Sequence, residues 1–280
     1  MNYRHIFHAG SFTDVFKHAV FALLLQRLCA KETPFCVIDT HAGIGRYDLT
    51  SDPAVRTGES RGGIARVLAA ADRLPAELTP YVDAVRALNT PDDPLHWYPG
   101  SPRLARSLMR PQDRLVLAEL HPDDVIDLQR EFERDRNTSV LHQDGYRTLK
   151  AHVPPRERRG IVLIDPPFEV TDEFERLTVA LAAAHARWAT GIFAIWYPIK
   201  ERATIWRFHD ALERTGIRKI LNAELLIHAE DNHLRLNGCG MIIVNPPWQL
   251  DQTLEAVLPS LHDALEARAG GTKVEWIVLE

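Results

Sequence analysis

The chain has 280 residues, 45% hydrophobic and 25% charged, with 33 Lys and Arg against 38 Asp and Glu for a net charge of −5. That length allows one large domain or two small ones, and the acidic balance argues against non-specific coating of nucleic acid while leaving room for a local basic mouth. Three scattered cysteines (Cys29, Cys36, Cys239) supply neither a disulfide framework nor a four-thiolate zinc site, which points to a reducing cytoplasm.

The apolar run at 19–25 is too short to cross a bilayer, and no basic stretch with a cleavable apolar segment opens the chain. A cytoplasmic protein without membrane contact is expected. Residues 12–30 place Val15, Phe16, Val20, Leu23, Leu24 and Leu28 near helical spacing, which predicts an amphipathic helix capped by Ser11 or Thr13. Residues 35–39 form a short apolar strand, and Thr40-His41-Ala42-Gly43-Ile44-Gly45 the loop leaving it. A second strand over 115–118 ends in Glu119, followed by a helix at 122–135. A third, 139–142, leads into Asp144-Gly145. A fourth, 161–164, runs into Asp165-Pro166-Pro167-Phe168. Then come a helix near 172–189, a strand at 191–196, a helix near 201–214, and strands near 218–228 and 239–244.

This alternation predicts a doubly wound α/β sheet. Only a loop around 231–237 separates the last two strands, so they are expected as an antiparallel hairpin at the sheet edge. One spacing departs from the pattern. About 70 residues separate Gly45 from Val116, where a crossover needs only about 30. The excess, 51–98, reads as an inserted helical subdomain beside the cofactor loop, with helices at 59–71 and from Pro75 to about Leu88. Residues 1–50 and 99–280 then make up the α/β domain, with Pro102 suited to the first turn of its delayed helix.

Ligands of such sheets bind at the carboxyl ends of the strands, and four successive ends here carry suitable groups. Asp39 with Gly43 and Gly45 forms a Cβ-poor loop that the amino-acid end of a cofactor can approach, though a plain turn has the same composition. Glu119 can accept both hydroxyls of a ribose. Asp144-Gly145 can accept from an adenine amino group and is equally a common turn. Asp165-Pro166-Pro167-Phe168 matches the chemistry of methylating a planar amine whose lone pair is delocalised. The carboxylate and the Pro166 carbonyl can take both N–H bonds while the aromatic ring stacks on the substrate. In this order the four ends spell an S-adenosylmethionine site. The expected reaction is in-line transfer, with the amine held by Asp165 and the Pro166 carbonyl.

Asn245-Pro246-Pro247-Trp248 repeats the pattern, but after the final strand, and a structural role is assigned to it. His5, His8, His18 and His41 lack the companions of a metal site, so no metal is expected. Arg156, Arg158 and Arg159 form either a phosphate-binding patch or a polar loop, and Lys17 and His18 are compatible with a solvated helix face.

Tyr3-Arg4-His5-Ile6-Phe7-His8-Ala9-Gly10, Asp14-Val15-Phe16-Lys17-His18 and Asp39-Thr40-His41-Ala42-Gly43-Ile44-Gly45-Arg46-Tyr47 closely resemble the bacterial 23S ribosomal RNA adenine-N6 methyltransferases of the large-subunit J type. Tyr98-Pro99-Gly100-Ser101-Pro102, Glu119-Leu120-His121-Pro122, Trp196-Tyr197-Pro198 and both Pro-Pro motifs extend the resemblance over essentially the whole chain. It implies a Rossmann-like class I S-adenosylmethionine-dependent methyltransferase, monomeric, that modifies N6 of one adenosine in 23S rRNA before the ribosome is assembled. Carried over, His18, His41, Ser101, Glu119, Asp144, Gly145 and Asp165 contact the cofactor or line its pocket. Tyr3, His5 and Lys17 lie on the substrate side, and Asp165 is the acceptor for the amine. Phe168 departs from the tyrosine frequent in that family, keeping the stacking surface without the hydroxyl. A DNA-adenine or protein-glutamine methyltransferase uses the same motif, and a non-catalytic RNA-binding assembly factor with a vestigial pocket is the alternative from another class.

Overall fold

The computed structural model describes residues 4–93, 95–230 and 232–279. Helix α1 (Phe12–Cys29) opens the fold, its Ser11 cap accepting from the Asp14 N–H. Five strands then share one direction: β1 (Cys36–Asp39), β4 (Arg114–Glu119), β5 (Thr138–His142), β6 (Gly160–Ile164) and β7 (Ile192–Ile199). Between β1 and β4 lie β2 (Arg46–Asp48), helices α2 (Asp52–Thr57), α3 (Glu59–Gly62), α4 (Ile64–Ala69) and α5 (Thr79–Arg86), then β3 (Trp97–Pro99) and α6 (Ser101–Leu108). Helices α7 (Pro122–Glu131), α8 (Gly145–His152), α9 (Glu173–Arg187) and α10 (Arg202–Arg214) fill the later crossovers. The chain closes with β8 (Ile220–Leu226), β9 (Gly238–Val244), α11 (Leu250–Ala264) and β10 (Gly271–Val278).

The main sheet has eight strands in the order β10-β8-β9-β7-β6-β1-β4-β5. Strands β1, β6, β8 and β9 are buried at every position, which is why they read as continuous apolar runs rather than alternating ones. The predicted hairpin of the last two strands forms, since β8 and β9 are antiparallel, but it is not at the edge. Strand β9 slots between β7 and β8, and β10 pairs antiparallel with β8 as the outer strand. Helix α11 makes this possible by carrying the chain back over the sheet on Leu250, Leu254, Val257, Leu258 and Leu261.

Helix α1 is buried on nearly all sides, not amphipathic, because α5, α6, α11 and β9 enclose it. The inserted segment leaves and returns through a two-stranded ribbon in which Arg46 pairs with Pro99 and Asp48 with Trp97. Its expected helix at 59–71 is interrupted at Gly63. A Cβ there would lie 2.1 Å from the Gly10 carbonyl oxygen, so the chain can pass only as glycine. Ile64, Val67, Leu78, Tyr81 and Val85 of the insertion share one core with α1. Among the described residues no helix is long and apolar enough to cross a membrane.

Candidate active site at the carboxyl edge of the sheet

The parallel strands deliver their carboxyl ends to one edge, where a cavity of about 630 Å³ opens. At the end of β1, Asp39 is buried and accepts from Ser101 Oγ at 2.7 Å and the His41 N–H at 3.3 Å. Burial pushes its carboxyl up to about 6. Thr40 Oγ1 donates to the Leu163 carbonyl at 3.0 Å, so its oxygen is left to accept from His41 Nδ1 at 2.8 Å. Burial pushes His41 down to about 4, so the ring is neutral, and with Nδ1 donating to Thr40 its Nε2 is an acceptor.

At the end of β4, Glu119 is fixed by two backbone donors. The Gly43 N–H reaches Oε2 at 2.7 Å and the His121 N–H reaches Oε1 at 2.7 Å. Each oxygen keeps a second lone pair. Gly43 adopts φ +62°, a conformation that favours glycine. Beyond β5, Asp144 caps α8 by accepting from the Arg147 N–H at 2.9 Å, and Gly145 follows directly. A Cβ on Gly145 would meet the Thr40 carbonyl at 2.4 Å and His41 Cε1 at 2.8 Å, so β1 and α8 approach each other here as backbones.

At the end of β6, Asp165 accepts from Lys17 Nζ at 2.6 Å, and Lys17 also pairs with Asp14 at 3.0 Å. Asp14 holds His5 Nε2 at 2.9 Å and the Gly10 N–H at 3.0 Å. Burial opposes the charge on Asp14, but the His5 and Lys17 charges and the His5 hydrogen bond outweigh it and hold the carboxyl well below the carboxylate range. Lys17 and His18 are therefore not on a solvated face, being only 5% and 1% exposed. Phe168 has φ +50°, an unfavourable region for a bulky residue, and its ring rests on Phe174 at 5.0 Å and on the edge of Trp196 at 5.9 Å.

The cavity thus brings together His5, Lys17, His18, His41, Gly43, Ser101, Glu119, Asp144, Gly145, Asp165, Pro166 and Phe168. Tyr3 lies outside the described residues. Sequence reasoning missed Asp14 and Tyr98. The i,i+3 spacing of Asp14 and Lys17 was the available signal for the first, and for the second only its place in the Tyr98–Pro102 segment that carries the family resemblance. Arg156, Arg158 and Arg159 precede β6, at the opposite edge. Arg159 is spent on the Thr33 and Leu28 carbonyls and Arg156 on Glu157. Asn245 is also at that edge, its Nδ2 donating at 2.8 Å to the Ala189 and Gly191 carbonyls, and Trp248 is 83% exposed.

The donor set fits S-adenosylmethionine: carboxylates at successive strand ends, a neutral histidine (His18) whose buried Nε2 has no partner among the described residues, and a volume within the roughly 300–1,000 Å³ of small-molecule sites. Five parallel strands continued by a reversed β9, with this set along the carboxyl edge, define a class I S-adenosylmethionine-dependent methyltransferase. Relatives narrow the class. The chain is 47% identical to a protein of Escherichia coli K12 and 42% identical to one of Haemophilus influenzae Rd, both called ribosomal RNA large subunit methyltransferase J, with each chain covered in full. A Legionella pneumophila protein of known crystal structure superposes with a TM-score of 0.89 at 32% identity, covering 96% of this chain and 98% of that one. Residues 32–278 match the model of the family described as ribosomal RNA large subunit methyltransferase D, RlmJ, and the chain belongs to that family.

Proposed function

We propose that this enzyme methylates N6 of one adenosine in 23S rRNA. As a family member it is an rRNA methyltransferase, and S-adenosylmethionine is its methyl donor. The observation that carries the adenine reading is Asp165-Pro166-Pro167-Phe168 at the carboxyl end of β6, opening on the same cavity as Glu119 and Asp144.

The bound cofactor supplies an electrophilic methyl group, and the protein's own side chains do the rest. Glu119 accepts the ribose hydroxyls with the lone pairs its backbone donors leave free. Asp144 receives the adenine amine of the cofactor. Ser101, His18 and the Gly43 loop surround its amino-acid end, with His41 and Gly145 as walls. For the substrate, Lys17 occupies Asp165 Oδ2, and Oδ1 accepts no hydrogen bond from another described residue. Oδ1 and the Pro166 carbonyl accept the two amine hydrogens and tilt the nitrogen towards sp³. Phe168, backed by Phe174 and Trp196, stacks on the base. Asp165 works as an orienting acceptor, since an aniline-like amine need not lose a proton before it is methylated. His5 and Lys17 form the substrate-side wall. A base within a paired stem must be turned out to reach Oδ1, at a cost of a few kcal/mol.

The helices of 51–98 are an insertion that packs into the core of the catalytic domain made by 1–50 and 99–280, and they contribute to RNA contact. The enzyme acts as a cytoplasmic monomer on RNA not yet assembled into ribosomes. The test is to incubate unmodified 23S rRNA, assembled large subunits and adenine-containing DNA with enzyme and labelled cofactor, then to map the modified nucleotide. Label at one N6 in free 23S rRNA is expected, and it should vanish in Asp165→Ala while cofactor binding persists. No transfer to RNA, or near wild-type transfer by Asp165→Ala, refutes the proposal.

A further inference from the structure

His18 Nδ1 lies 2.8 Å from the Tyr98 hydroxyl, which lies 3.0 Å from the Tyr81 hydroxyl. Tyr98 belongs to β3 and Tyr81 to α5, so both come from the inserted segment, and both are completely buried. The His18 and Tyr98 rings stack at 5.5 Å and 25°. His18 Nε2, on the far side of the ring, is buried in the wall of the cavity with no hydrogen-bond partner among the described residues.

We infer that Tyr98, with Tyr81 behind it, fixes the His18 proton on Nε2, so that His18 presents a hydrogen-bond donor to the carboxylate of the bound cofactor. This rests on the proposed function, in which His18 stands at the cofactor's amino-acid end. The polarity comes from counting hydrogens. Burial holds His18 neutral, lowering it to about 3, and keeps both phenols protonated. The ring therefore carries one proton. If it sat on Nδ1, it would be donated to Tyr98, whose own hydrogen would pass to Tyr81. The Tyr81 hydrogen would then end in the core without an acceptor, and Nε2 would be a bare, buried acceptor. With the proton on Nε2, Tyr81 donates to Tyr98 and Tyr98 to Nδ1. Both hydroxyl hydrogens are then used, and one donor remains, aimed away from the pair. Either arrangement leaves one hydrogen without an acceptor among the described residues. The first seals it in the closed core at Tyr81 and strands Nε2 as well, whereas the second places it at the cavity wall, where a ligand can accept it, so the second arrangement prevails. The outstanding donor calls for an acceptor from the ligand, and a carboxylate gives the stronger, charge-assisted bond. Tyr98 is the positioning residue, with Tyr81 as the partner of its hydroxyl, and through Tyr98 the insertion sets one contact of the cofactor pocket.

Long-range proton–nitrogen correlation spectra of the cofactor-free protein, labelled with ¹⁵N at histidine, read the tautomer directly. His18 should appear as the Nε2–H form, assigned by its loss in His18→Gln. Tyr98→Phe keeps the stacked ring but removes the donor to Nδ1. The Nδ1–H form should then become populated, and calorimetry should show S-adenosylmethionine bound about tenfold more weakly. Tyr81→Phe leaves Tyr98 free to donate, so the tautomer should persist and affinity should stay within about threefold. An Nδ1–H signal in the wild type, or Tyr98→Phe with both tautomer and affinity unchanged, overturns the inference. Wild-type protein that shows the Nε2–H form but binds no S-adenosylmethionine overturns the cofactor contact and the functional reading, with the tyrosine relay intact.

Discussion

Asp39 offers a pH test that needs neither cofactor nor RNA. Its carboxyl is only 1% exposed, and burial raises it to about 6, although Ser101 and the His41 N–H favour the ionised form. In the unfolded chain the group returns to an ordinary carboxylate value near 3.9. The folded state therefore binds the proton more tightly, and folding stability must fall as pH rises through the interval between the two values. Two units at about 1.4 kcal/mol each give a loss of about 3 kcal/mol, absent below about pH 4, roughly half developed near pH 5 and complete above about pH 6. Asp39→Asn keeps the shape and an acceptor for Ser101 but cannot ionise. Urea unfolding of both proteins between pH 4 and pH 7 isolates the effect, because every other titration is common to the two. The difference should tilt in favour of Asp39→Asn by about 3 kcal/mol across that range. A flat difference, or one that tilts towards the wild type, would refute the dominance of burial over hydrogen bonding assigned to Asp39.

Phe168→Ala removes the stacking surface, and loss of a base–aromatic contact worth about 1–3 kcal/mol should lower kcat/KM for RNA by roughly 5- to 150-fold. Cofactor affinity should stay within about threefold and Phe168→Tyr should be near wild type; an equal loss of cofactor binding would contradict the stacking role. Gly145→Ala drives a Cβ into Thr40 and His41, so calorimetry should show S-adenosylmethionine bound at least about tenfold more weakly and urea unfolding a loss of about 1–3 kcal/mol. Wild-type affinity in that variant would mean that the approach of α8 to β1 does not shape the pocket. Trp248→Ala, at the opposite edge and largely exposed, should leave methyl transfer unchanged and stability within about 0.5 kcal/mol. A large loss of transfer would refute the placement of the reactive site at Asp165.

The strand ends that build the site were legible because apolar runs stop at a single polar residue, and a parallel sheet gathers such stops at one edge. Glu119 and Asp165 needed nothing more than that, whereas Asp144 follows the mixed strand 138–142 and was marked by its Asp-Gly pair. The outer strand β10 was not legible in the same way, since Lys273 and Glu275 alternate with half-buried Val274 and Trp276 and only the pairing with β8 fixes its place. The burial of α1 was hidden for a different reason. Lys17 and His18 look like a solvated face, and they are buried because Lys17 finds Asp165 at a separation of 148 residues and His18 finds Tyr98 at 80. Local spacing carries no record of partners that distant. The Gly63 break is similar: a lone glycine in a helical stretch is tolerated until another segment, here Gly10, claims the space of its Cβ.

The two Pro-Pro motifs show how much direction alone decides. Asp165 and Asn245 each follow a fully buried apolar strand, and each motif contains one non-glycine residue in the left-handed region, Phe168 at φ +50° and Asn245 at φ +54°. Local chemistry would admit either as an acceptor for an amine. Strand β6 is parallel to β7, however, and β9 is antiparallel to it, so the motifs are delivered to opposite edges. At the carboxyl edge the carboxylate meets Lys17 and an open cavity. At the amino edge the Asn245 amide spends both hydrogens on the carbonyls that precede β7, closing a turn. Restoring the acid by Asn245→Asp should therefore create no second methylation site. It would instead replace two donated hydrogen bonds with a carboxylate facing two carbonyl oxygens, a like-polarity contact expected to cost stability by about 1–3 kcal/mol in urea unfolding. Methyl transfer that survives Asp165→Ala in the Asn245→Asp background would break the link between strand direction and site that this fold imposes.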